Sequence, residues 1–239
     1  MTTEIPRTLQ VLWGEGSQGR RTQALSLDRI VDAAIAIADA DGLAALSMAR
    51  LAERLGSAPM SLYRHVSNKD ELLVFMVDAA PGPPPELPAG GWRAALDAWA
   101  QALRALYYAH PWILQVTADR PPLEPGQLAW LDRGLSSFAG TPLSERDRFE
   151  SVMTVLNYVR GEAQIATILL RGGGEGADPL AAQQEYGELI ARFVRPERFP
   201  SLAAASAAGI FATEGPDSFQ WGLSRILDGL ASLVASTGR

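Results

Sequence analysis

The sequence predicts an all-α chain built as a small head and a larger helical body. Three observations carry this. Apolar residues recur at helical spacing in nearly every periodic segment from Leu27 onward. No convincing run alternates apolar and polar residues as a half-buried strand does. Residues 81–88, PGPPPELP, place five prolines in eight positions, which forbids a helix and makes a stiff connector between the two parts.

Residues 1–25 show no sustained period, contain Gly14, Gly16 and Gly19, and read as a flexible arm. In 26–80 four helices follow. Leu27, Ile30, Val31, Ala34, Ile35 and Ala38 form one apolar face; Ser26 is its N-cap and Gly42 its stop. Ser47 caps a second helix with Leu51, Ala52 and Leu55 inward, and Gly56 ends it. Pro59 opens a third, Pro59 to Val66, barely two turns long, with Leu62 and Val66 inward and Ser61, Tyr63, Arg64 and His65 outward. Ser67 with Asp70 resembles the capping box of a fourth, lined by Leu72, Leu73, Phe75, Met76 and Ala79. The body, 89–239, is expected to form helices at Trp92–Tyr108, Gly126–Phe138, Ser144–Leu170, Leu180–Val194 and Ser218–Ser236.

Composition narrows the chemistry. The 239 residues are enough for one or two domains with a real core. The absence of cysteine excludes disulfides, thiolate zinc sites and cysteine nucleophiles. No stretch reaches a membrane span, and the polar start shows no apolar leader core, so a cytoplasmic protein is expected. The net charge of −6 argues by itself against nucleic acid, but the charge is uneven. Between Gly42 and Lys69 lie Arg50, Arg54, Arg64 and Lys69 against the single acid Glu53. Lys69 is the only lysine beside 20 arginines.

The second helix, a glycine-containing turn and the short third helix make a helix-turn-helix, a unit that sets its second member in the DNA major groove. A solvated helical hairpin is the plainer reading of the same pattern. The runs Ile30-Val31-Asp32-Ala33-Ala34, Leu51-Ala52-Glu53-Arg54-Leu55-Gly56, Met60-Ser61-Leu62-Tyr63-Arg64-His65-Val66 and Asn68-Lys69-Asp70-Glu71-Leu72-Leu73 closely resemble the DNA-binding domain of the TetR family of transcriptional regulators over 27–80. Ala109-His110-Pro111-Trp112 and the helical content make the body similar to a tetracycline-repressor-like C-terminal domain.

The resemblance implies roles. Ala58, Pro59 and Met60 stand where side chains reach base edges, and an apolar side chain there suits a thymine methyl. Ser61, Tyr63, His65 and Lys69 match phosphate-binding positions; Ser47 is expected to meet phosphate at the start of the second helix. Arg64 is expected at a base or phosphate, and Arg20 and Arg21 of the arm in the minor groove. Ala49 stands where the family often carries a base-reading residue, which shifts readout to the third helix and Arg50.

Five of the six tryptophans lie in the body, which makes it the expected home of a small-molecule pocket. By resemblance its lining is Trp99, Leu103, Trp130, Met153, Asn157 and Gly161; the alternative for each aromatic is plain core, and for Asn157 a satisfied interior amide. The last helix and Ser144–Leu170 are expected to form a homodimer interface. Enzymatic readings are weak. Gly14-Glu-Gly16-Ser-Gln-Gly19 fits a dinucleotide fingerprint in letters, but no parallel sheet follows. Two histidines, His65 and His110, offer neither a triad nor a metal site without carboxylate help. The expectation is therefore a regulator, a repressor by default, with operator DNA, an unidentified small molecule and a second copy of itself as partners, and with no cofactor, metal or membrane. The alternative is a helical small-molecule-binding or scaffold protein whose head no longer reads DNA.

Overall fold

The computed structural model describes residues 5–14, 25–118, 122–172, 179–210 and 218–238, with side chains of 169–172 and 179–183 left aside. Among these residues there are twelve α-helices, one short 3-10 turn and no strand. The helices are α1 (Arg7–Leu12), α2 (Leu27–Asp41), α3 (Met48–Arg54), α4 (Pro59–Leu62), α5 (Lys69–Ala79), α6 (Trp92–Ala109), α7 (Trp112–Val116), α8 (Pro125–Ser136), α9 (Glu145–Gly172), α10 (Pro179–Phe193), α11 (Pro200–Ala207) and α12 (Ser218–Thr237). They fall into two compact units, Met1–Val152 and Met153–Arg239, divided inside α9.

Local chemistry sets the ends of the head helices. Ser26 Oγ accepts from Arg29 N, Ser47 Oγ from Arg50 N at 3.2 Å, and Asn68 Oδ1 from Glu71 N at 2.8 Å. Each satisfies one of the amides that open a helix without an intrahelical partner. Gly42, at φ +79, ends α2 in a conformation other residues resist. The expected Ser67–Asp70 box is displaced by one residue: Asn68 is the cap, and Glu71 reaches back to accept from Ser67 N. The amide of an asparagine serves as well as a hydroxyl here, and Glu71 is the acid at the third helical position.

The head packs around Ile30, Ala34, Leu51, Leu62, Val66, Leu72 and Met76, all fully buried. Each of these side chains larger than alanine contributes about 1.5–3 kcal/mol against exposure. Ile37 belongs to this core, and Ile35 is only half-buried, so the inward face of α2 is rotated slightly from the expected one. The four residues of α4 are too few to hold a helix alone. Burial of Leu62 and Val66 holds it instead. It also ends sooner than expected: His65 N and Val66 N both return to Leu62 O, closing a turn over 63–66.

The body part of the first unit centres on Leu96, Trp99, Ala100, Trp112 and Phe138, with Trp92 stacked on Phe138 at 5.5 Å. In the second unit Val155, Val159 and Ala163 make the buried stripe of α9, and Phe219, Leu223 and Leu227 that of α12. Tyr158 stacks on Phe219 and donates to its carbonyl at 2.9 Å. The expected arm contains a formed element, α1, and α7 and α11 were likewise not expected. All three are of eight residues or fewer, too short to display a period.

Candidate functional site

The outward surface of the head is built on α3, the turn 55–58 and α4. Gly56, at φ +60, makes the turn; its N–H donates to Glu53 O, and Ser57 N reaches Ala52 O at 2.9 Å. Pro59 starts α4 where its missing N–H costs nothing. What this geometry presents is Ala58, Pro59, Met60, Tyr63 and Arg64, all exposed, with Ser61 and His65 half-buried beside them. Met60 is 75% exposed and Tyr63 44%. Such exposure of large apolar side chains on one short, rigid ledge is the mark of a surface that meets something.

Three of the expected contact residues already have partners. Ser47 Oγ accepts from Arg50 N at the start of α3, which leaves its O–H as a donor. The Arg50 guanidinium pairs with Asp41 at 2.6 Å, which subtracts its charge from the ledge. Lys69 Nζ donates to Leu46 O at 2.7 Å and, more loosely, to Leu43 O at 3.5 Å. An ammonium has three donors, so Lys69 ties α5 to the entry of α3 and keeps one N–H for an outside acceptor. Arg20 and Arg21 lie outside the described residues.

The same first unit shows how the head is held by the body helices. Asp39, near the end of α2, accepts from Trp112 Nε1 at 2.7 Å, and the same oxygen meets His110 Nδ1 at 2.8 Å. At the far end of α5, Asp78 accepts from Gly126 N at 2.6 Å, in the first turn of α8. Burial pushes the Asp78 carboxyl above the ordinary carboxylate range, with neighbouring Glu124 adding to the rise and the Gly126 bond opposing it. Gly126 is obligatory for this approach, because a Cβ there would collide with the Asp78 carbonyl oxygen. The connector is tied too: Trp130 Nε1 donates to Gly82 O at 3.1 Å, and Trp130 O accepts from Trp99 Nε1 at 2.9 Å.

These bonds also engage residues of the expected pocket. Trp99, Leu103 and Trp130 are core, and the two indole N–H groups are spent on backbone. Gly134 leaves room for Trp99, whose ring would lie 2.9 Å from a Cβ placed there. Met153 is half-buried, while Asn157 and Gly161 are exposed. The spacing i, i+4, i+8 explains the last three: it puts them on a flank of α9 beside the buried stripe. Asn157 is therefore not an interior amide. Two surface hollows, of about 340 and 390 Å3, are lined by other residues.

Sequence reading missed Asp39, Asp78 and Gly126. A signal was present. Carboxylates near the C-terminal end of a helix face the negative end of its dipole and are locally unfavourable. Asp39 and Asp41 in α2 and Asp78 in α5 all stand there, and each has a partner beyond its own helix.

Comparison with known proteins agrees with this architecture. The family model "Bacterial regulatory proteins, tetR family" matches residues 30–75, and "Tetracyclin repressor-like, C-terminal domain" matches 84–234. The HTH-type transcriptional repressor DrrR1 of Streptomyces coeruleorubidus is 40% identical over 243 aligned positions, covering 97% of this chain and 87% of the relative. The class A tetracycline repressor protein from transposon 1721 of Escherichia coli is 28% identical, over 87% of this chain and 91% of that protein. Among solved structures, the Streptomyces coelicolor TetR family protein ActR in complex with actinorhodin superposes with a TM-score of 0.70 at 28% identity. That match covers 90% of this chain and 99% of ActR.

Proposed function

Since the chain belongs to the TetR family of bacterial regulatory proteins and is a DNA-binding transcriptional regulator, we propose that it is a repressor released from its operator by a small molecule. The observation that carries the reading is the exposed ledge of Ala58, Pro59, Met60, Tyr63 and Arg64 on a helix-turn-helix. The repressor name of the 40% identical relative and the ligand-bound state of ActR support the two halves of it.

In this reading residues 26–80 bind DNA, 81–88 connect, and 89–239 bind ligand and pair two copies. Pro59 and Met60 meet base edges, with Ala58 small enough to let them approach. Ser61, Tyr63, His65 and the free N–H of Lys69 meet phosphates, and Arg64 a base or phosphate. Arg20 and Arg21 reach the minor groove. Ser47, whose O–H stays a donor while its oxygen caps α3, meets a phosphate, and Arg50 keeps N–H groups beyond the one paired with Asp41 for readout. For the ligand, Trp99, Leu103, Trp130, Met153, Asn157 and Gly161 are the first positions to vary. The protein acts in the cytoplasm and has no catalytic role. Among the described residues no helix is long and apolar enough to cross a membrane.

In vitro selection of duplexes from a random pool by the full-length protein tests the reading. Enrichment of a near-palindromic sequence is expected. Arg64→Ala should weaken its binding and lower the slope of log affinity against log salt by about 0.9 if it holds a phosphate. A well-folded protein that enriches no sequence refutes the regulator reading and leaves the scaffold alternative.

A further inference from the structure

We propose that α1 is a brace that locks the first turn of the DNA-binding head's α5 to the segment entering α8, with Arg7 and Trp13 as positioning residues that never touch DNA. The inference rests on the regulator reading for its effect on operator affinity, but its structural core stands independently.

A helix of six residues without a side-chain cap does not persist by itself. Docking must supply what its length does not. Thr8, Leu9, Val11 and Leu12 are half-buried, and α1 packs along α5. Its two ends are bonded to different parts of the first unit. At the start, Arg7 Nη1 donates to Ser67 Oγ at 3.2 Å and pairs with Glu71. Glu71 is 8% exposed, and its second oxygen accepts from Ser67 N. At the end, Trp13 Nε1 donates to Leu123 O at 3.1 Å, next to Glu124, the residue that opens α8. Between the two, Leu9 with Ile5 and Trp13 faces Leu123 and Leu128 across an apolar hollow.

Ser67 lies between His65 and Lys69, two of the proposed phosphate contacts. A side chain that immobilises Ser67 and Glu71 therefore fixes where those contacts stand. Arg7 closes this loop electrostatically: without it, Glu71 keeps the bond from Ser67 N but remains a nearly buried carboxylate without a cation. The brace also gives α5 a second hold on the α8 region, separate from the Asp78–Gly126 bond at its other end.

The test uses the full-length protein and the duplex it selects in vitro. Arg7→Ala should weaken binding two- to five-fold, the effect of a half-exposed pair, with the salt slope unchanged. Glu71→Gln, which keeps an acceptor for Ser67 N, should give a similar loss, and adding Arg7→Ala to it should add little. Hydrogen exchange should quicken at the amides of positions 71 and 72 in the Arg7 and Glu71 variants, and at those of positions 10 and 13 in Trp13→Phe. A salt slope reduced by about 0.9 in Arg7→Ala would make Arg7 a phosphate contact and overturn the brace. Additive losses, or unchanged exchange at Glu71 and Leu72, would also overturn it. If the wild type selects no duplex, the regulator reading fails while the exchange measurement still decides the brace.

Discussion

The strongest prediction concerns Asp39→Ala. Its carboxylate is the shared acceptor for Trp112 Nε1 and His110 Nδ1, and Trp112 is 1% exposed. Removing the acceptor leaves a buried indole N–H without a partner, which costs about 1–3 kcal/mol. His110 retains access to water, so its share is small. Against this, the substitution removes a carboxylate from the C-terminal end of α2, a gain of about 0.3–1 kcal/mol. The net expectation is a loss of roughly 1–2 kcal/mol, or a fall in melting temperature of ~2–8 °C for a chain of this size. Thermal unfolding followed by circular dichroism reads it. Asp39→Asn keeps an oxygen acceptor in place and should recover most of the loss. In a Trp112→Phe background, where the donor is already gone, Asp39→Ala should cost much less. If Asp39→Ala melts within about 1 °C of the wild type, or costs as much without the indole donor, the Asp39–Trp112 bond does not hold the head to the body helices.

Gly126→Ala should destabilise by about 1–3 kcal/mol in the same assay, because the new methyl group meets the backbone of Asp78 rather than a movable side chain. Asp78→Asn should stabilise the protein near neutral pH. The raised carboxyl binds a proton in the folded state where the unfolded chain has already lost it, so wild-type stability falls as pH rises from the ordinary carboxylate value through the raised one. Denaturant titrations at several pH values should show that decline in the wild type and a flatter profile in the variant. Lys69→Met should both lower stability, through the lost bond to Leu46 O, and reduce the salt slope of duplex binding by about 0.9 if the third N–H meets a phosphate. Reduced stability with an unchanged slope would restrict Lys69 to the structural role.

How much could be read beforehand depended on the range of the interactions. Helices with a cap and an apolar period were legible to within a residue or two, because both signals are local: Ser26, Gly42 and Ser47 act within their own turn. The head's core and ledge followed from the same periodicity. Short elements were not legible. α1 and α7 exist through contacts with residues far along the chain, such as Glu71 and Asp39. The commitments of polar side chains were also hidden. Arg50 and Lys69 look like free cations in sequence, yet each is bound to a group that only the fold brings near. The exposure of Asn157 was hidden for a different reason. An amide within an apolar run looks enclosed, but one flank of a helix can be exposed while the stripe next to it is fully buried.

On the proposed function, the placement of the tethers bears on how a ligand signal would reach DNA. α5 is a single helix of eleven residues, about 16 Å long at 1.5 Å per residue. Its first turn is bound to the head through Lys69 and to α1 through Glu71; its last turn is bound to α8 through Asp78. A helix held at both ends by different partners transmits displacement as a lever rather than absorbing it, since packed interiors yield little. A tilt of about 10° at the α8 end would move the other end by about 3 Å over that length. Hydrogen bonds and van der Waals contacts to a base edge fail well before that. The acidic tethers thus serve a second purpose beyond holding the head. Asp39 and Asp78 are turned toward body groups and Asp41 toward Arg50, so these three of the head's acids are held by tethers rather than displayed beside the ledge. What faces outward from the ledge itself is Arg64 with the apolar and hydroxyl groups around it, so the fit of those groups matters to affinity alongside charge. On the proposed function, a few ångströms of lever movement would then suffice to release the operator.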